Sequence, residues 1–112
     1  MIRVELNGAV ASVILDRPEK RNALTPEMLA SLISGVSQVR ATAARVIVLR
    51  GEGSVFCAGF DLTLCQGHPD GSVMRSLLSG LSEAIEALRS QPRPVVIAAH
   101  GAAVAGGCAL LG

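Results

Sequence analysis

The sequence predicts an α/β fold made of strands alternating with helices. Three observations carry that prediction. An Asn7-Gly8 pair sits between two strand-like stretches near the N-terminus. Two later stretches repeat apolar residues at helical spacing, and each precedes a short all-apolar run, Val46–Leu49 and Pro94–Ala99. Alternation of this kind is the signature of strands that share a sheet covered by helices.

Taken in order, Val4–Leu6, Asn7-Gly8 and Ala9–Leu15 read as a hairpin. Asn-Gly is favoured where both central turn residues need positive φ. Asp16–Asn22 is a polar loop. Thr25 is placed to cap a helix whose first position is Pro26, where the missing N–H costs nothing. Met28, Leu29, Leu32, Ile33, Val36 and Val39 mark that helix's apolar face. Val46–Leu49, ahead of Gly51, has the pattern of a strand covered on both faces. Gly51–Gly59 is glycine-rich, and Gly67–Gly71 reads as a loop. Ser72 is a candidate cap for a second helix burying Val73, Met74, Leu77, Leu78, Leu81, Ile85 and Leu88, which ends at Gln91-Pro92. Pro94–Ala99 suits another buried strand. A turn at His100-Gly101 follows, and Gly106-Gly107 is expected to open a third helix at Cys108. With Gly112 barely one turn into that helix, the chain is expected to be an incomplete version of a longer fold.

Composition narrows the function classes. The 112 residues are half hydrophobic, but only two are aromatic, so the core is aliphatic. Ten basic and nine acidic residues leave a formal charge of +1. That balance provides no field to attract phosphate backbones, and two Phe offer little to stack bases on, so no nucleic-acid partner is expected. Cys57, Cys65 and Cys108 are odd in number and lack Cys-x-x-Cys spacing. They indicate neither a disulfide framework nor a metal site. The N-terminus has no basic segment followed by an apolar run, and no apolar stretch reaches the roughly 18 residues of a membrane span. A cytoplasmic protein without membrane partners is expected.

The two glycine segments, Phe56–Leu62 and Gly101–Cys108, carry the candidate chemistry. Each follows a strand-like run. Glycine lets a backbone turn sharply and approach a ligand. Two amides from two such turns can point at one carbonyl oxygen, an oxyanion hole in which each donor is worth roughly 3 kcal/mol. Gly106 and Gly107 fall at an expected helix N-terminus, which favours negative charge. The arrangement suits an enolate or another thioester oxyanion. Glycine turns after strands are also commonly just turns.

Asp16–Leu24, Phe56–Leu62 and Pro94–Cys108 are similar to three motifs of the crotonase (enoyl-CoA hydratase/isomerase) family. They occur in family order and cover almost the whole chain. The resemblance implies a crotonase-like spiral of ββα units, with residues 1–112 its N-terminal part, truncated before the C-terminal helices. It implies an acyl-CoA thioester as ligand, with coenzyme A as part of the substrate, no separate cofactor, and a role in fatty acid metabolism as a lyase or isomerase. The oxyanion donors fall on the Phe60 and Gly106 amides. Ala58, Phe60, Asp61 and Leu62 would line the path of the CoA adenine and pantetheine. Lys20, Arg21, Ala23 and Leu24 would flank the nucleotide end. Lys20 and Arg21 read equally well as a solvated charged loop, and Asp61 as a cap or turn aspartate. Trimers or hexamers are expected of a full domain.

The sequence also departs from the family. Family hydratases carry a glutamate where this chain has Ala109, and the second hydratase glutamate would lie beyond Gly112. Alanine neither transfers a proton nor holds a water, so no acid–base pair for hydration is assembled. His100 stands where asparagine is more usual and reads as a turn histidine. Isomerisation with a single acid from a longer chain stays open. So does a truncated, non-catalytic remnant or interaction module. Gly51-Glu52-Gly53 fails as a dinucleotide fingerprint because position 56 is Phe56. Cys57 has no base placed by sequence to activate it and reads as a buried structural thiol.

Overall fold

The computed structural model describes residues 1–67 and 69–99. The expected third helix, with His100, Gly106, Cys108 and Ala109, lies outside them. Strands β1 (Ile2–Asn7) and β2 (Val10–Leu15) form the hairpin. Helix α1 (Pro26–Val39) leads to β3 (Val46–Gly51), and helix α2 (Ser72–Ser90) leads to β4 (Val95–Ala98). The sheet runs β1-β2-β3-β4. Its first pair is antiparallel, and the two pairs joined through helices are parallel. This is ββα architecture with a mixed sheet.

Local sequence explains α1. The Thr25 Oγ1 accepts from the Met28 amide at 3.0 Å, and Pro26 opens the helix. Met28, Leu29, Leu32, Val36 and Val39 are buried, while Ile33 is half-buried. Their partners are the inward side chains of the sheet, Ala11, Val13, Leu15, Ile47 and Leu49. Gly80 of α2 faces Leu29 so closely that a Cβ there would sit 3.1 Å from its Cδ1, which brings the two helices together.

Four expectations are corrected. The hairpin loop is Gly8-Ala9, one residue later than expected, because Asn7 pairs with Val10. Only Gly8, at φ 62°, takes positive φ, so the turn needs glycine first and not Asn-Gly. Ser72 is the first helical residue of α2 and not its cap. Gly71 is left-handed there, and the Asp70 carboxylate takes the Ser72 amide at 3.1 Å. Leu78 is 52% exposed because the buried side of α2 is Leu77, Leu81, Ala84 and Leu88. Finally, among the described residues β3 and β4 are not covered on both faces. Val46 and Val48 are half-buried and Val96 is 52% exposed, since both helices lie on the opposite face. Ile14 on that open face is nevertheless fully buried, between its cross-strand neighbours Arg3 and Arg50.

Candidate functional site

The site begins where β2 ends. Arg17 precedes a single 3-10 turn, Pro18–Lys20. Arg21 and Asn22 then adopt left-handed conformations, φ 55° and 57°. Asparagine tolerates that region because its short amide bonds locally. The Asn22 side chain is fully buried. Its Oδ1 accepts from the Arg17 amide at 2.8 Å. Its Nδ2 donates toward the carbonyls of Glu52, Val55 and Phe56 at 2.9, 2.9 and 3.1 Å. One side chain thus pins the loop after β3 to the loop after β2. Gly51 makes room, since a Cβ there would lie 2.5 Å from the Phe56 carbonyl oxygen and 2.9 Å from the Asn22 Nδ2.

The chain then runs beside itself. The Ala58 amide donates to the Arg21 carbonyl at 3.0 Å, Leu24 to Gly59 at 2.7 Å and Asp61 to Leu24 at 2.9 Å. Leu24 and Phe60 form a parallel bridge. This pairing gathers the sequence-predicted residues Arg21, Ala23, Leu24, Ala58, Phe60, Asp61 and Leu62 into one region, with Lys20 next to it on the same turn. Lys20 and Arg21 are exposed, as is Leu62 at 61%. Leu24 points into the core, and its main-chain groups are both used. Gly106 lies outside the described residues.

The Phe60 amide differs from its neighbours. The Gly59 amide donates to the Cys57 Sγ at 3.4 Å, and the Asp61 amide to Leu24. Among the described residues the Phe60 amide donates to nothing. Gly59, at φ 93°, turns the chain just before it. Cys57 is buried, with its Sγ 3.4 Å from the Asn22 carbonyl oxygen.

Asp61 stabilises this loop from the far side. Its Oδ1 accepts from the Thr63 hydroxyl at 2.5 Å and the Thr63 amide at 3.2 Å. Its Oδ2 meets Arg17 Nη1 at 2.9 Å, and the same nitrogen bonds the Ala23 carbonyl at 3.0 Å. The Thr63 hydroxyl and then the Arg17 guanidinium hold the Asp61 carboxyl below the usual carboxylate range, against the opposing effect of burial. Asp61 therefore is a capping aspartate, as its sequence position suggested, and also half of an ion pair. Sequence reasoning gave no role to Arg17 or Asn22. The available signal was residue type alone: asparagine is the residue most suited to a non-glycine left-handed position.

Among the described residues no helix is long and apolar enough to cross a membrane. Residues 5–111 match the family described as Enoyl-CoA hydratase/isomerase. The Bacillus subtilis (strain 168) protein YhaR is 36% identical over 110 residues, which is 97% of this chain and 43% of that protein. The crystal structure of an enoyl-CoA hydratase from Polaromonas sp. JS666 superposes with a TM-score of 0.89 at 35% identity, over 97% of this chain and 44% of that one. An enoyl-CoA hydratase structure from Mycobacterium smegmatis gives 0.90 at 30% identity, over 98% of this chain and 44% of that one. The chain spans less than half the length of the curated relatives it matches.

Proposed function

The chain belongs to the crotonase (enoyl-CoA hydratase/isomerase) family, and from that premise we propose that it binds an acyl-CoA thioester through main-chain amides, with Ala109 in place of the glutamate that family hydratases carry. The observation that carries this reading is the Phe60 amide, which lacks a partner among the described residues while the amides on both sides are engaged. An N–H held in place by its neighbours is a ready donor for a thioester oxygen. As the carbonyl gains enolate character its oxygen becomes more negative, and a fixed donor there is worth roughly 3 kcal/mol. Gly106 is the proposed second donor. The exposed Lys20 and Arg21 sit where CoA phosphates would be met, and Ala58, Asp61 and Leu62 flank the approach. Ala109 in place of the family glutamate argues against hydration and leaves isomerisation by an acid elsewhere. Assembly as trimers or hexamers and a cytoplasmic location are proposals of the same standing.

The test is titration with acetyl-CoA, by calorimetry and by amide NMR, beside Gly106→Pro. Proline removes the N–H. Binding is expected between roughly micromolar and millimolar Kd, with the Phe60 amide signal among those that move, and with weaker binding by the variant. No binding by folded wild type would favour a non-catalytic interaction module. Equal binding by both proteins would move the contact to Lys20 and Arg21.

A further inference from the structure

The Leu24–Phe60 bridge fixes which way the Phe60 amide points. Leu24 donates its N–H to the Gly59 carbonyl, and its own carbonyl accepts from the Asp61 amide, so both of its main-chain groups turn toward the second segment. In a parallel pair of that phase the residue opposite, here Phe60, turns its N–H and C=O to the other side. The donor is therefore aimed by the register of two short segments that share two bonds, 2.7 and 2.9 Å long. So small a pairing is marginal without support from outside it. One side chain supplies that support. Arg17 Nη1 donates to the Ala23 carbonyl at 3.0 Å and to Asp61 Oδ2 at 2.9 Å. Ala23 precedes Leu24 and Asp61 follows Phe60, so a single nitrogen ties the two segments across the bridge. Arg17 is itself anchored. Its amide donates to Asn22 Oδ1 at 2.8 Å, and its carbonyl accepts from the Lys20 and Asn22 amides at 3.1 and 2.9 Å. Its side chain is 15% exposed, so water competes little for these bonds.

We propose that Arg17 is a positioning residue for thioester binding: through Ala23 and Asp61 it holds the register that aims the Phe60 N–H. The inference rests on the reading of Phe60 as a donor to the thioester oxygen, and it adds which side chain keeps that donor in place. Arg17 acts through these two protein contacts and not on the ligand. The Asp61 carboxylate is likewise turned into the protein, with Oδ2 on Arg17 and Oδ1 on the Thr63 hydroxyl and amide. Phe60 and Asp61 share a peptide bond, so a shift of the carboxylate carries the Phe60 amide with it. A donor out of place by about 1 Å loses much of its effect. A neutral side chain at position 17 releases both acceptors. A lysine there still serves them, because both bonds come from one nitrogen and an ammonium carries three donors.

The experiment compares wild type, Arg17→Met, Arg17→Lys, Asp61→Asn and Val36→Ala, the last a truncation in the buried face of α1. Amide exchange is measured by NMR without ligand, and acetyl-CoA is then titrated with the Phe60 amide signal as one readout. Arg17→Met should lower the protection of the Leu24 and Asp61 amides about tenfold more than that of β2. It should also weaken acetyl-CoA binding about tenfold. Arg17→Lys should recover most of both. Val36→Ala should lower protection throughout the molecule and leave the affinity of the folded protein unchanged, which separates positioning from stability. If Arg17→Met does not fold by circular dichroism, Asp61→Asn decides. Its one acceptor oxygen serves Arg17 or Thr63 but not both, and the same local loss of protection and of affinity should follow. Binding by wild type with equal binding by the variant would overturn the positioning role alone, as would an affinity loss matched by Val36→Ala. Protection at Leu24 and Asp61 that falls no further than in β2 would overturn it too. If Arg17→Lys restores the protection but not the affinity, the guanidinium touches the ligand itself and the proposal is wrong. No binding of acetyl-CoA by folded wild type would instead remove the thioester reading, and the positioning role with it.

Discussion

Arg17 and Asp61, 44 residues apart, form an ion pair at 2.9 Å with side chains only 15% and 8% exposed. The pair joins the end of β2 to the loop carrying the Phe60 amide. Its effect on stability follows from the lowered pKa of Asp61. The folded state releases this proton more readily than the unfolded chain does. The stabilisation is therefore complete above the ordinary aspartate value of about 4, and it is lost as pH falls through the lower folded value. Arg17→Met, which leaves the carboxylate buried and unpaired, should cost about 3 kcal/mol at pH 7. Much of that cost should disappear once Asp61 is protonated. Urea unfolding at pH 7 and near pH 3 checks both; a cost unchanged by pH would show that the pair contributes little.

Asn22 should be less replaceable than any exposed residue of its loop. Asn22→Ala strands the Arg17 amide and removes the donor from three carbonyls, and should cost about 3 kcal/mol. Asn22→Asp keeps the acceptor but sets a carboxylate against those carbonyl oxygens. It should be at least as damaging at pH 7 and should recover partly in acid, because repulsion raises the acid's folded-state pKa and the protonated form is tolerated. Denaturation midpoints of the two variants across pH separate these outcomes.

Gly51→Ala should destabilise by about 2–3 kcal/mol. The added carbon would meet the Phe56 carbonyl oxygen and Cα, main-chain atoms that cannot swing aside. If the Phe60 donor depends on this loop, acetyl-CoA affinity should fall in the same variant even where it remains folded. Thermal melting and ligand titration on one sample distinguish the two effects.

The chain should show no hydration of a short trans-2-enoyl-CoA approaching enzymatic rates of about 1 s⁻¹. The reason is Ala109, which cannot transfer a proton where family hydratases carry a glutamate. A spectrophotometric assay of purified, folded protein checks this, and turnover would contradict the proposed loss of the hydratase glutamate.

Within a few residues, sequence determined much of the molecule. Thr25-Pro26 fixes the start of α1, because capping involves only adjacent backbone. The apolar spacing fixes α1, α2 and the strands, because each element's period is set by its own geometry. The motifs put part of the candidate site on two loops that the structure brings together at Leu24 and Phe60, while its other part, Gly106, lies outside the described residues. Tertiary structure decided the rest. The hairpin turn shifted by one residue because cross-strand register, Asn7 to Val10, sets which residues are central. Leu78 and Val96 are exposed because burial depends on which face another element covers, and an apolar residue carries no record of that. The roles of Asn22 and Arg17 could not be read locally, since besides their near neighbours they bond Glu52, Val55, Phe56 and Asp61, 30 to 44 residues away. A buried polar side chain acquires its function only when folding brings those partners within hydrogen-bonding distance.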